Sequence, residues 1–465
     1  MPYRLLETAY AQAMQFLDTL PDRRVIGNAE FASLVETLGG PVPDHESDPL
    51  AVIDALSREA ERGVVATAGP RYFGFVTGGS LPVAVAADWM ATAWDQNAGL
   101  HVMSPAASAI EEIAARWVLD LLSLPPAASV GFVTGAHMAN VSALAAARND
   151  VLRRAGWDVE ALGLQGAPRI TVLAGSEAHA SIGAACRMIG LGSSTIHRVG
   201  SDEQGRMRAD RLDAALASTA GPRIVCAQAG NVNTGASDPF RDIIRASHDQ
   251  GAWVHVDGAF GLWAAAVPAL KHLVAGVEHA DSWTTDGHKW LNVPYDSGIV
   301  ITAHPAAHRA AMSQAAAYLI QAPNEERDGM DWVPEASRRG RAIPVYAVLR
   351  QLGRSGLVEL VERSCRLARR IRDRLNAKPE VVILNDVVLN QVLVRFDAAD
   401  GVNVTPEVIA AVQEGGVCWC GGTNWQGQPA MRISVSNWRT NEADVDRSVE
   451  AILSAFRSVR PRARS

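Results

Sequence analysis

Four short apolar runs, separated by helical patterns or long connections, constrain the fold of this chain more than any other feature. They are RITVLAG (169–175), RIVCAQAG (223–230), WVHVDGAF (253–260) and SGIVITA (297–303), each seven or eight residues long. Runs that are apolar at nearly every position fit strands buried on both faces, and their alternation with helices calls for an α/β fold with a mainly parallel sheet. A helix is expected from about Pro105 to Leu122, where Ile110, Ile113, Ala114, Trp117 and Leu121 form one stripe. Residues before about 70 read as two or three polar helices broken by the turn-rich stretch Gly39–Asp44. Beyond about 345 the texture changes to a long helix (345–376), a strand QVLVRF (391–396), a helix (405–414), strand candidates VCWCGG (417–422) and AMRISVSN (430–437), and a last helix capped by Asn441 or Thr440. The expected division is therefore 1–70, a helical segment; 71–345, a large domain; and 346–465, a small α+β domain.

The 465 residues exceed the ~250–300 at which a single core stops growing, which agrees with more than one domain. A net charge of −7, from 43 Lys and Arg against 50 Asp and Glu, argues against a dedicated nucleic-acid binder. No apolar run reaches the ~18–20 residues of a membrane helix, and the N-terminus lacks the apolar centre of a signal peptide. Five scattered cysteines (Cys186, Cys226, Cys365, Cys418, Cys420) do not form a disulfide framework. A cytoplasmic enzyme or binding protein is the expectation.

Four places carry chemistry. Lys289, in ADSWTTDGHKWLNVPYDSG (280–298), stands where one strand ends and another begins, and must be paired or used. Asp257 ends an apolar strand, where a buried carboxylate needs a partner. It precedes Lys289 by 32 residues, about one crossover, which places both at the carboxyl edge of the sheet where such folds bind ligands. GFVTGAHMAN (131–140) reads as strand, small-residue turn and helix start, with free backbone N–H groups for an anion, although neither a P-loop nor a GxGxxG pattern is present. His179 follows the strand RITVLAG. Taken singly, each has a structural explanation: an ion pair, a helix cap, a common junction, a satisfied histidine. Together a lysine amine, a carboxylate, a phosphate cradle and an imidazole describe a pyridoxal 5′-phosphate (PLP) site. Two remote readings are a metal-dependent hydrolase using His179, His255, Asp257 and His288, which no ligand motif such as HExxH supports, and a non-catalytic binding relative, which would be expected to lose Lys289 or Asp257; no metal is expected.

The motifs PRYFGFVTGG (70–79), SPAASAIEEIAARW (104–117), EAHAS (177–181), NTGASDPF (233–240), HVDGAFG (255–261), ADSW…DGHKW and RISVSNW (432–438) follow one another as in the group II PLP-dependent amino-acid decarboxylases, which this chain resembles over about 70–440. The resemblance implies PLP-dependent transferase fold type I (aspartate aminotransferase-like), with 71–345 as the PLP-binding domain. Lys289 is then the lysine that carries the cofactor as a Schiff base, and Asp257 the partner of its ring nitrogen. His179 stacks on the ring, while Gly135, Ala136, His137 and His288 surround the phosphate, with Ala259 and Asn233 or Thr234 lining the cofactor. Asp286 stands where the family commonly has Asn, and a carboxylate beside a phosphate is repulsive unless paired. Tyr318 matches the family's loop tyrosine, which returns a proton after CO₂ leaves and reaches the neighbouring subunit's site, implying a homodimer. Phe75, Val76, Thr77, Leu100 and His101 would surround the substrate side chain, and favour an aromatic or apolar one. Arg338, Arg339 and Arg341 read as a solvated or ion-paired helix start rather than a substrate clamp. The expected reaction is decarboxylation of an L-amino acid to its amine. An acidic amino-acid decarboxylase, an aldehyde synthase and a C–C lyase are alternatives on the same fold.

Overall fold

A computed structural model describes residues 3–314 and 326–459. The chain divides into two compact units, 80–366 with 385–391, and 1–79 with 367–384 and 392–465. The amino-terminal segment thus groups with the carboxyl-terminal α+β elements, a partition that a linear reading of the sequence does not draw.

The first unit is built on a seven-stranded sheet: β1 (Ser129–Val133), β2 (Thr171–Gly175), β3 (Ile196–Val199), β4 (Arg223–Gln228), β5 (Trp253–Asp257), β6 (Ser282–Asp286) and β7 (Gly298–Thr302), in the order β1-β7-β6-β5-β4-β2-β3. Neighbours from β3 to β6 run parallel, while β7 is antiparallel to both β6 and β1. The four apolar runs are β2, β4, β5 and β7. Their residues are buried on both faces, apart from partly exposed Thr171 and Arg223 at the leading ends of β2 and β4, so the continuous hydrophobicity reports two-sided coverage. The SGIVITA run is the antiparallel exception: only the loop 287–297 separates it from β6, too short for a crossover.

The helix Ala136–Arg154 packs on β5, β6 and β7, and its buried alanines let its backbone lie close to the sheet. That approach is tightest under its first turn. A Cβ on Gly298, at the start of β7, would come 2.4 Å from the backbone of Gly135, so only glycine fits. The helix Pro105–Leu122 matches its expected span and is capped by Ser104. Its Glu111, almost fully buried, pairs with Arg338 at 2.6 Å and Arg327 at 3.3 Å. Arg338 is therefore a buried structural cation, and Arg339 pairs with Asp88 at 2.8 Å.

The opposite edge of the sheet carries a titratable clamp. Asp281, just before β6, accepts the Val254 N–H at 2.7 Å and sits 3.0 Å from His248 and 2.8 Å from His304. Burial pushes the Asp281 carboxyl up, but these donors outweigh it and hold the group down at about 2. His248 is raised by its bond to Asp281. Asp281 therefore stabilises the fold above its unfolded pKa of 3.8, and this is lost only as pH falls toward about 2. The share from charged His248 is present below 6.5 and lost as pH rises through its elevated pKa. Asp281→Asn should lower the unfolding free energy by about 1.5–3 kcal/mol near pH 5–6 and by less at pH 9, read from urea midpoints at the two pH values.

The second unit holds a four-stranded sheet, β10-β11-β9-β8, from β8 (Val381–Ile383), β9 (Gln391–Phe396), β10 (Gly421–Trp425) and β11 (Gln428–Ser434). Residues 417–420 do not belong to β10 as expected. Trp419 instead bridges Tyr72 and stacks on its ring at 5.0 Å, which draws the backbone off the strand. The last helix, Glu442–Val459, is capped by Asn441, whose side chain accepts the Asp444 N–H while Asp444 bonds back to Asn441. The helices Arg4–Thr19, Phe31–Leu38 and Pro49–Glu61 bury no residue and expose Leu6, Tyr10, Phe31 and Val35. Among the described residues, no helix is long and apolar enough to cross a membrane.

Candidate active site

Two neighbouring strand ends and one helix start make the site. Asp257 closes β5 and Asp286 closes β6, and both carboxylates are bonded to the helix Ala136–Arg154, one turn apart. The Asn140 side-chain amide donates to Asp257 Oδ2 at 3.1 Å, and the Ala136 backbone N–H donates to Asp286 Oδ1 at 2.5 Å. Four residues of helix rise about 6 Å, so the two acidic groups mark two ends of one small pocket floor.

At the first end, Asp257 Oδ2 also accepts from Ser181 Oγ at 3.3 Å, and Oδ1 accepts the Ala259 N–H at 3.2 Å. Ser181 ties in His179, whose Nδ1 accepts the Ser181 N–H and lies 2.8 Å from its Oγ, capping the helix Ala180–Met188. At the second end, Asp286 Oδ2 pairs with Lys289 Nζ at 3.0 Å. The pair sets a positive group beside the Asp286 carboxylate, and the Ala136 N–H donates to its other oxygen. His288 Nδ1 accepts the Ser297 N–H at 3.2 Å, so a neutral ring carries its hydrogen on Nε2, 3.5 Å from Asp286 Oδ1. Burial holds the His288 pKa below its ordinary value, keeping the ring neutral.

The structure brings Gly135, Ala136, Asp257, Ala259, His179, His288 and Lys289 into this bonded framework. His137, in the first helical turn, is exposed. Asn233 has a buried Oδ1 without a hydrogen-bond partner among the described residues, whereas Thr234 Oγ1 is committed to the Gln204 carbonyl at 2.7 Å. Of those two candidates only Asn233 is left for a ligand. Tyr318 lies outside the described residues. His255 does not join a metal set: its ring bonds Asn140 and Ser282, and among the described residues no group of three or more His, Cys, Asp or Glu could hold a metal.

Leu100 is buried, and His101 is held through its N–H to Asp328 at 2.7 Å and through Nδ1 to Ser108 Oγ at 3.3 Å. In the other unit Phe75 and Val76 both take left-handed backbone angles, φ 53° and 58°, inside a turn closed by Thr77 N–H to Gly74 O at 3.0 Å. A β-branched residue there is strained by roughly 1–3 kcal/mol, a cost concentrated at functional sites. Phe75 also stacks on Trp419 at 5.4 Å.

Missing from the sequence reading are Asn140, Ser181 and the Asp286–Lys289 pair. A signal for Asn140 existed: it is one of two amides, with Asn149, in an alanine-rich helix, and a buried amide demands partners.

An amine, a carboxylate with acceptor capacity left, an imidazole and an amide-lined turn are the donor set of a PLP enzyme on a doubly covered α/β sheet, and the unpartnered Asn233 Oδ1 adds a further polar contact. Residues 34–397 match the model of the pyridoxal-dependent decarboxylase conserved domain, and the chain belongs to that family; its cofactor is PLP. It is 24% identical to the aromatic-L-amino-acid decarboxylase of Bacillus atrophaeus, over 87% of this chain and 85% of the relative. It is 27% identical to the L-2,4-diaminobutyrate decarboxylase of Rhizobium meliloti (strain 1021), over 89% and 83%. The solved structure of Oryza sativa TDC with PLP and tryptamine shares the fold with a TM-score of 0.91, 22% identity and coverage of 98% of both chains.

Proposed function

We propose that this protein removes the carboxyl group of an aromatic L-amino acid, giving the amine and CO₂. What supports an aromatic side chain is the character of the residues that the family resemblance assigns to substrate, each taken within its own unit. Phe75 and Val76 sit in a strained turn backed by Trp419, and Leu100 is apolar, while His101, the one basic member, is engaged by Ser108. The name of the Bacillus atrophaeus relative agrees with this choice, and the diaminobutyrate relative marks the alternative.

PLP, when bound, takes the electrons of the broken Cα–carboxylate bond into its ring. Lys289 would supply the amine that holds it, with the Asp286 carboxylate 3.0 Å from that amine. Asp257 offers a fixed negative charge to the ring nitrogen in a water-poor site. His179 covers the ring face, and the Nε2–H of His288 and the Gly135–Ala136 turn hold the phosphate end. Asn233 and Ala259 line the remaining edge, with His137 at the rim. Tyr318 returns the proton to Cα.

Two copies of the chain form the working unit in this reading. The amino-terminal helices expose Leu6, Tyr10, Phe31 and Val35 with no buried residue of their own, which is the surface a homodimer would cover. Five buried cysteines, none of them in a disulfide, suit the cytoplasm. No nucleic acid takes part.

The test is a CO₂-release screen of the PLP-loaded protein with single L-amino acids. Aromatic substrates should give CO₂ and amine in equal amounts. Faster release from diaminobutyrate or glutamate, or an aldehyde or two carbon fragments in place of the amine, would overturn the reading.

A further inference from the structure

Trp253, His255 and Asp257 occupy alternate positions of β5 and therefore share one face. On that face a chain of hydrogen bonds runs in one direction. Trp253 Nε1–H donates to Ser282 Oγ at 2.9 Å, and Ser282 stands directly opposite His255 in the register of β5 and β6. Ser282 Oγ lies 3.0 Å from His255 Nδ1, and His255 Nε2 lies 2.9 Å from Asn140 Oδ1. Asn140 Nδ2 then donates to Asp257 Oδ2 at 3.1 Å and to Ser181 Oγ at 3.1 Å.

Each direction is forced. A carboxylate only accepts, so the Asn140 amide must turn its NH₂ toward Asp257 and its oxygen toward His255. That oxygen only accepts, so His255 carries its hydrogen on Nε2. Nδ1 of a neutral ring must then accept from Ser282, which in turn takes the Trp253 N–H. His255 and Asn140 are fully buried, and Asp257 is 5% exposed.

We propose that Asn140 and His255 are positioning residues for the PLP ring nitrogen: they pin Asp257 Oδ2 through a relay of neutral groups, and so leave the carboxylate's whole charge to the cofactor. A cation bonded directly to Asp257 would hold it equally well but cancel the charge that the ring nitrogen needs. The Asn140 amide is a spacer that donates a hydrogen bond and adds no charge, and His255 fixes the amide's orientation. Without Asn140, buried Oδ2 loses a donor, and a carboxylate short of donors in such a place favours its protonated form, which cannot serve the ring nitrogen. The inference rests on the assignment of Asp257 made above.

Apo-protein is titrated with PLP and followed by visible absorption and circular dichroism, for wild type, Asn140→Leu, His255→Leu, His255→Gln and Asp257→Ala. Wild type should bind PLP, and Asp257→Ala should bind it much more weakly; failure of either sinks the assignment of the site itself. Asn140→Leu should weaken PLP about tenfold or more and shift the visible band of the bound cofactor. His255→Leu should do the same to a smaller degree, while His255→Gln, whose amide can still donate to Asn140, should restore both readouts. In the Asp257→Ala background, Asn140→Leu should cause no further loss. Wild-type affinity and spectrum in Asn140→Leu and His255→Leu, or full additivity in the double variant, would overturn the relay while leaving the site standing. If Asn140→Leu does not fold, the His255 pair decides: equal behaviour of Leu and Gln overturns the proposal.

Discussion

Lys289→Ala should yield a folded protein that takes up no borohydride-fixable cofactor and releases CO₂ at a rate lower by a factor on the order of 10²–10⁴ or more, the share that a positioned proton-transfer and covalent group contributes. The lysine's place in the structure explains why no neighbour can substitute for it. It lies in the short connection between β6 and β7, 21% exposed, with its amine 3.0 Å from Asp286 Oδ2. Among the described residues, no other lysine is bonded to Asp257 or Asp286. Removing it leaves Asp286 buried with the Ala136 N–H and a neutral His288 nearby, so some stability is lost as well. The two effects separate by measurement. Far-UV circular dichroism and a urea midpoint report the fold, while absorption before and after borohydride, with peptide mass mapping of residues 280–298, reports the covalent link. A variant that is folded yet still fixes the cofactor would remove Lys289 from its role.

Much of the fold was legible because its signals are local. Runs buried on both faces, such as Arg223–Gln228, read as strands without knowledge of their neighbours, and the stripe from Ile110 to Leu121 read as the helix Pro105–Leu122. Direction was not legible for β7: its composition matches a parallel strand, and only the short link from β6 makes it antiparallel. The grouping of residues 1–79 with the carboxyl-terminal elements depends on contacts far apart in sequence, for which no periodicity exists. Of the site, the residues with unusual chemistry stood out, Lys289 and Asp257 above all. Their supports did not. Asn140 looks like any polar residue of a helix until the helix is placed on β5, and Asp286 looked repulsive until Lys289 was seen beside it. Thr234 was plausible by type and was excluded by one bond, to Gln204.

Glu111→Ala should destabilise the protein by about 3–5 kcal/mol, a large part of the ~5–15 kcal/mol that holds a typical domain folded. Glu111 lies in the helix Pro105–Leu122 and is 1% exposed by side chain, and the two arginines it meets are buried as well, Arg338 at 0% and Arg327 at 8%. Without the carboxylate, two buried cations keep carbonyl oxygens as hydrogen-bond partners, Ala98 and Phe132 for Arg338 and Val130 for Arg327, and Arg327 keeps a more distant Glu112 carboxylate at 3.9 Å. The adjacent residue provides the control. Glu112 is 40% exposed, pairs with Arg116 at 2.8 Å on the helix surface and reaches Arg327 only at 3.9 Å, so Glu112→Ala should change stability by no more than about 1 kcal/mol. Urea unfolding of both variants at pH 7 tests the contrast, and equal small losses would show that the buried cluster is not held by Glu111. The consequence reaches the active site. Arg338 bonds the carbonyl of Phe132 on β1, three residues before Gly135, and the Gly135 backbone has no room to shift over Gly298. Glu111→Ala should therefore also weaken PLP binding, although Glu111 is not itself part of the bonded framework around Lys289 and Asp257.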